Sequence, residues 1–142
     1  EGIPTSYSAF SAYWDDGKVN VWSVVTFLVA FLMFPPMVEG GDGSYFQFLG
    51  FFAPLYLIVV SLTPKWDIDK RQHRVHVIGT VLCAALALLW LVFVRGHVWV
   101  LVGCLAAGCA AGYFTKTLLG SKVFWGEMVM FLSVYVSLLI GG

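Results

Sequence analysis

The chain has 142 residues, 60% hydrophobic, 17% aromatic and 11% charged, with eight basic and eight acidic side chains. Soluble domains run at roughly 45–50% apolar and about 25% charged, so this chain has too few polar groups to cover a water-facing surface and suits hydrocarbon instead. The even charge balance excludes the basic footprint of a nucleic-acid binder.

Residues 1–17 alternate small polar residues with Tyr7, Phe10, Tyr13 and Trp14, which suits a segment lying at headgroup level. The sequence opens on Glu1, and no basic stretch leading into a short apolar core marks a cleavable signal peptide. A first span is expected over about 18–38, with Pro35 and Pro36 ending or kinking it near its far side. The turn at 39–44, EGGDGS, leads to a second span over about 45–62, bent by Pro54 in its middle. The stretch TPKWDIDKRQHR at 63–74 is the most polar of the chain, and a third span is expected over about 75–94. Arg95, Gly96 and His97 make a connection so short that the fourth span, about 98–114, must be an antiparallel neighbour of the third. After the loop TKTLLGSK comes a fifth span over about 123–140.

Runs such as VLCAALALLWLVFV do not alternate as barrel strands do, so the expected fold is all-α, a polytopic integral membrane bundle of about five transmembrane helices. Lys18, Lys65, Lys70, Arg71, Arg74, Lys116 and Lys122 fall on one face of such a bundle and Arg95 alone on the other. Short basic loops stay in the cytoplasm. The 63–74 loop is therefore expected there, in a bacterial inner membrane, with Gly141 and Gly142 outside.

Glu127 is the acid best placed inside an apolar span, roughly 7–8 Å deeper than Lys122 along the helix axis. An intramembrane carboxylate is costly and marks a candidate functional site. The competing explanation is a glutamate in the early turns of its helix, favoured by the helix dipole or reaching toward Lys116 or Lys122. Ser133 and Ser137 share a face of the same span and are expected to bond a backbone carbonyl or a neighbouring helix.

The fourth span reads GCLAAGCAAG, with Gly103, Ala107 and Ala111 on one stripe and Cys104, Gly108 and Gly112 on the next. Small residues at this spacing let helix backbones come close, within one chain or between two. Cys83, Cys104 and Cys109 lie in apolar runs as packing residues rather than as a disulfide framework.

His73 and His76 stand one turn apart beside Lys65, Lys70, Arg71 and Arg74, with only Asp67 and Asp69 at hand as further metal donors. The basic cluster instead suits anionic headgroups or topology. His97 sits at the opposite end of the third span from His76, so the two cannot share a haem. Asp67 and Asp69 form an acid-x-acid pair without a glycine-rich phosphate cradle, and no nucleophile elbow, Walker loop or H-E-x-x-H is present.

The stretches IPTSYSAFSAYW, VHVIGTVLCAALALLW and FWGEMVMFLSVYVSLL together resemble a loose group of small uncharacterised multispan membrane proteins from gut bacteria and their phages. The resemblance covers most of the chain and implies another hydrophobic segment, a sixth span, upstream. It brings no activity and no functional residue.

The scarcity of polar groups within the spans favours a non-catalytic protein acting through helix packing, as an accessory or oligomeric membrane subunit. The alternative is a small oligomeric channel or transporter with Glu127 near the pathway. No cofactor is expected. The expected partners are membrane lipid and a homo-oligomer or larger membrane complex.

Overall fold

The computed structural model describes residues 6, 9, 20–66 and 68–140. Most of the headgroup-level segment at 1–17, together with Lys18, Asp67, Gly141 and Gly142, lies outside the described residues. Within them the chain is all helical, with no strand: α1 (Val21–Glu39), α2 (Gln47–Ser61), α3 (Lys70–Phe93), α4 (Val98–Phe114) and α5 (Lys122–Leu139). By length and composition α1, α3 and α5 suffice to cross a membrane, whereas α2 and α4 are shorter apolar helices of 15 and 17 residues.

Local chemistry sets the helix ends. The Asn20 side chain caps α1 by accepting from the Ser23 N–H at 3.0 Å. Asp69 does the same for α3, taking the N–H groups of Arg71 at 2.7 Å and Gln72 at 3.3 Å. This cap starts α3 at residue 70 rather than 75, so Lys70, Arg71 and Arg74 are helical. α4 ends with Lys116 in the left-handed region at φ 56°, where the N–H groups of Lys116 and Thr117 bond the carbonyls of Tyr113 and Gly112.

Pro35 and Pro36 do not end α1, which continues through them to Glu39. Their missing N–H groups cost two hydrogen bonds one turn back. The carbonyls at the helix end are served by side chains from elsewhere: Trp90 Nε1 donates to the Met37 oxygen at 3.0 Å and Gln47 Nε2 to the Val38 oxygen at 3.2 Å. Pro54 is buried within α2.

α1 and α2, α2 and α3, and α4 and α5 run antiparallel, as their contacts show, whereas α4, expected as the packed neighbour of α3, packs on α5 instead. Met37 at the end of α1 packs with Leu49 at the start of α2. Gly108 and Gly112 of α4 lie against Val129 and Trp125 of α5. α1, α3 and α5 therefore point one way. The packed pairs are α1 with α2, α2 with α3, α3 with α5 and α4 with α5; α1 with α5 is not among them.

One end of the bundle is closed by Met37, Leu49, Ala53, Ala87, Trp90, Leu91 and Val134. Gly50 makes that closure possible, because any Cβ there would collide with the Met37 carbonyl oxygen. A second, smaller cluster of Val100, Cys104 and Val129 joins α4 to α5.

Candidate functional site

Between α1, α2, α3 and α5 lies a cleft of about 400 Å³. Its walls are almost wholly apolar, and its side chains with a carboxyl or hydroxyl are Glu127, Thr26 and Thr80.

These three groups come from helices distant in sequence, and the register of the bundle sets them at one level. The rings of Trp22 and His76 lie 5.9 Å apart. Thr26 and Thr80 follow one turn further along the parallel helices α1 and α3. Deeper still, Ala87 and Val134 belong to one cluster, and stepping back about two turns from each reaches Thr80 and Glu127. Beyond this polar layer the walls are Met33, Met37, Ala53, Ala87 and Val134. The cleft thus has a polar level and an apolar depth.

The two threonines differ from other hydroxyls of the protein. Ser133 donates to the Val129 carbonyl at 2.6 Å, Ser61 to Ile58 at 2.6 Å and Thr115 to Ala111 at 2.8 Å, the usual back-bonding of a helical hydroxyl. The buried oxygens of Thr26 and Thr80, with that of Ser23, make no hydrogen bond among the described residues. Thr26 is 1% exposed. An unsatisfied buried hydroxyl costs about 1–3 kcal/mol, and these two line the cleft.

Glu127 is half-buried in the second turn of α5, which begins at Lys122. A helix dipole acts chiefly over the first turn, so the expected stabilisation by the helix terminus is weak. The lining role instead follows from spacing: Val123, Glu127, Met130, Phe131 and Val134 share one face of α5.

Polar groups at the far end are used differently. Arg95 Nη2 donates to the Ser137 carbonyl at 3.0 Å, and its guanidinium stands 5.9 Å from the Trp90 ring centroid. His97 Nδ1 and Ser137 Oγ share a hydrogen bond of 2.7 Å. A histidine beside a serine is the geometry of an activated nucleophile, yet Ser137 is completely buried and offers no approach for a substrate carbonyl. The pair ties the α3–α4 connection to α5.

At the opposite end, Thr63 Oγ1 donates to the Val60 carbonyl at 2.6 Å and lies 2.9 Å from His76 Nδ1, which therefore carries the proton between them. Trp66 stacks on His76 at 4.8 Å and on His73 at 6.0 Å. Among the described residues no three His, Cys, Asp or Glu side chains converge to hold a metal. Lys65, Lys70, Arg71 and Arg74 are all exposed around this end.

The small residues of α4 divide into two groups. Added Cβ atoms at Gly108 and Gly112 would come within 2.6 Å of Val129 and 2.8 Å of Leu118, so both serve packing within the chain. Gly103 and Ala107 are exposed, and a Cβ at Gly103 meets nothing within 4 Å. Sequence reasoning singles out Glu127, Ser133 and Ser137 but passes over Thr26, Thr80, Arg95 and His97 as members of polar sites. A lone threonine in each of two apolar runs is the signal that marks the first two. Comparison with known protein families, with curated proteins and with solved structures finds no match to this chain.

Proposed function

We propose that this chain is a non-catalytic integral membrane protein that crosses the bilayer with all five helices and acts as an accessory or oligomeric subunit, through helix packing. The observation that carries this reading is the state of α4. It packs closely on α5 alone, and Gly103, Ala106, Ala107 and Ala110 remain exposed together on its outer side. Small residues on an apolar helix gain little from lipid tails but admit another helix backbone at close range. The basic residues of the α2–α3 and α4–α5 connections, against Arg95 at the other end, support a cytoplasmic position for Lys65, Lys70, Arg71 and Arg74.

The test is the mass of the detergent-solubilised particle, with Ala107→Leu as the disruptive variant. A protein mass within the particle, after subtraction of bound detergent, of at least two 15.7 kDa chains is expected, and Ala107→Leu should release the monomer while leaving the helical signal unchanged. A wild-type monomer that acquires no cross-links in native membranes would overturn the proposal.

A second reading, a small oligomeric channel or transporter, draws support from the position of Glu127 in the wall of the cleft. Liposome flux that falls on Glu127→Gln would favour it, and a monomer without flux would remove it.

A further inference from the structure

A second hollow, of about 210 Å³, lies at the start of α3, lined by Trp66, Ile68, Asp69, Lys70, His73 and Arg74. Lys70, His73 and Arg74 follow one another at the three- and four-residue steps that place side chains on one face of a helix. Lys70 and Arg74 are exposed and make no ion pair among the described residues. Asp69, the acid in the same wall, accepts the N–H groups of Arg71 and Gln72 as the helix cap. Its charge is thus answered by the α3 terminus, and the two cations set the sign of the hollow.

The walls are fixed before any ligand arrives. The Asp69 N–H bonds the Lys65 carbonyl at 2.8 Å, and the Lys65 N–H donates to Gln72 Oε1 at 3.0 Å, which closes the connection onto the helix. His73 Nδ1 donates to the Trp66 carbonyl at 3.2 Å. The Trp66 ring lies nearly flat on that of His76, at 4.8 Å and 16°, and His76 is buried. A site built this way spends little binding energy on ordering its own loop. Arg74 is followed at once by Val75 and the apolar run of α3, so the hollow sits where the helix passes from polar to apolar. Beside the cations stands Ile68, 81% exposed. An isoleucine there gains nothing from water, but at a bilayer surface it enters the acyl region while the cations stay at headgroup level.

We propose that this hollow binds the phosphate headgroup of an anionic membrane phospholipid, with Lys70 and Arg74 on the phosphate oxygens and Trp66 and Ile68 against the start of the acyl chains. This rests on the reading that the chain is embedded in a membrane. A guanidinium fits two phosphate oxygens with parallel N–H donors, and an ammonium adds a point charge for a third. A zwitterionic head carries a cation of its own, which Lys70 and Arg74 repel. The apolar part of the wall selects a lipid over a free phosphate, which has no chain to set against it.

The experiment mixes the protein, in a neutral detergent, with equal amounts of phosphatidylglycerol and phosphatidylcholine of the same chains, and counts retained lipid by native mass spectrometry. One phosphatidylglycerol is expected to be held about tenfold over phosphatidylcholine. The double variant Lys70→Gln with Arg74→Gln should lose that preference with its circular dichroism unchanged. Lys65→Gln with Arg71→Gln removes the same charge from exposed positions outside the lining and should keep most of it. Ile68→Ser should weaken retention of both lipids severalfold, and millimolar inorganic phosphate should leave the lipid in place.

Equal retention of the two lipids, or equal loss in the two double variants, would overturn the proposal in favour of a diffuse field. Displacement by inorganic phosphate, or indifference to Ile68→Ser, would overturn it in favour of a free-anion site. These outcomes, in a protein that requires detergent, strike the hollow alone. A protein monodisperse in plain buffer would instead strike the membrane reading, and this proposal with it.

Discussion

The two ends of the long cleft treat polar groups in opposite ways. At the closed end, Trp90 supplies the donor that the Met37 carbonyl needs, and Arg95 and His97 both meet Ser137. At the level of Thr26 and Thr80, two buried hydroxyls make no hydrogen bond among the described residues. The contrast separates two uses of polarity in an apolar bundle. Satisfied groups lock helices together, and unsatisfied buried ones lower stability.

The most severe way to break the closed end is Trp90→Ala. Removing a fully buried indole is expected to cost about 3–5 kcal/mol, since it opens a cavity and strips the Met37 carbonyl of its partner. Thermal melting followed by circular dichroism in detergent should show a large drop or outright loss of the cooperative transition. Unchanged melting would mean that this end is not where the bundle is held.

A smaller loss is expected from Ser137→Ala, which leaves His97 Nδ1 without its hydroxyl partner, at about 1–2 kcal/mol. The same melting experiment measures it, and His97→Ala in the Ser137→Ala background should add less than it does alone, because the two side chains form one interaction.

The smallest effect, with the opposite sign, is expected at the polar level of the cleft. Thr26→Val and Thr80→Val keep the shape and delete a hydroxyl that has no hydrogen bond among the described residues. Stability should stay level or rise by up to about 1 kcal/mol. A loss as large as that of Ser137→Ala would erase the distinction between the two levels.

Much of the fold is legible in the sequence because apolar runs of helix length are separated by loops of unmistakable composition. Arg95, Gly96 and His97 mark the α3–α4 turn, and α4 begins at Val98 as the run of apolar residues does. The start of α3 is not found by hydropathy, since Lys70 to Arg74 are polar and the helix there is made by the Asp69 cap. Glu127 stands out as an acid within an apolar run. The cleft itself is not legible, because helices that are apolar on every side carry no directional pattern. Which residues meet across α1, α3 and α5 depends on a register that only tertiary packing sets. Pro35 and Pro36 mislead because α1 continues through them to Glu39 despite two lost N–H donors, and beyond them the Met37 and Val38 carbonyls are met by Trp90 and Gln47, whose proximity no local motif announces.

The contact at Gly50 has a genetic corollary. Three chain segments converge where even a methyl group would strike the Met37 carbonyl oxygen and crowd Trp90, so variation at this codon should be confined to synonymous changes. At Gly103 and Gly126, whose surroundings are empty to 4 Å, many missense alleles should survive selection for folding alone, and any depletion of them would report a pressure other than folding.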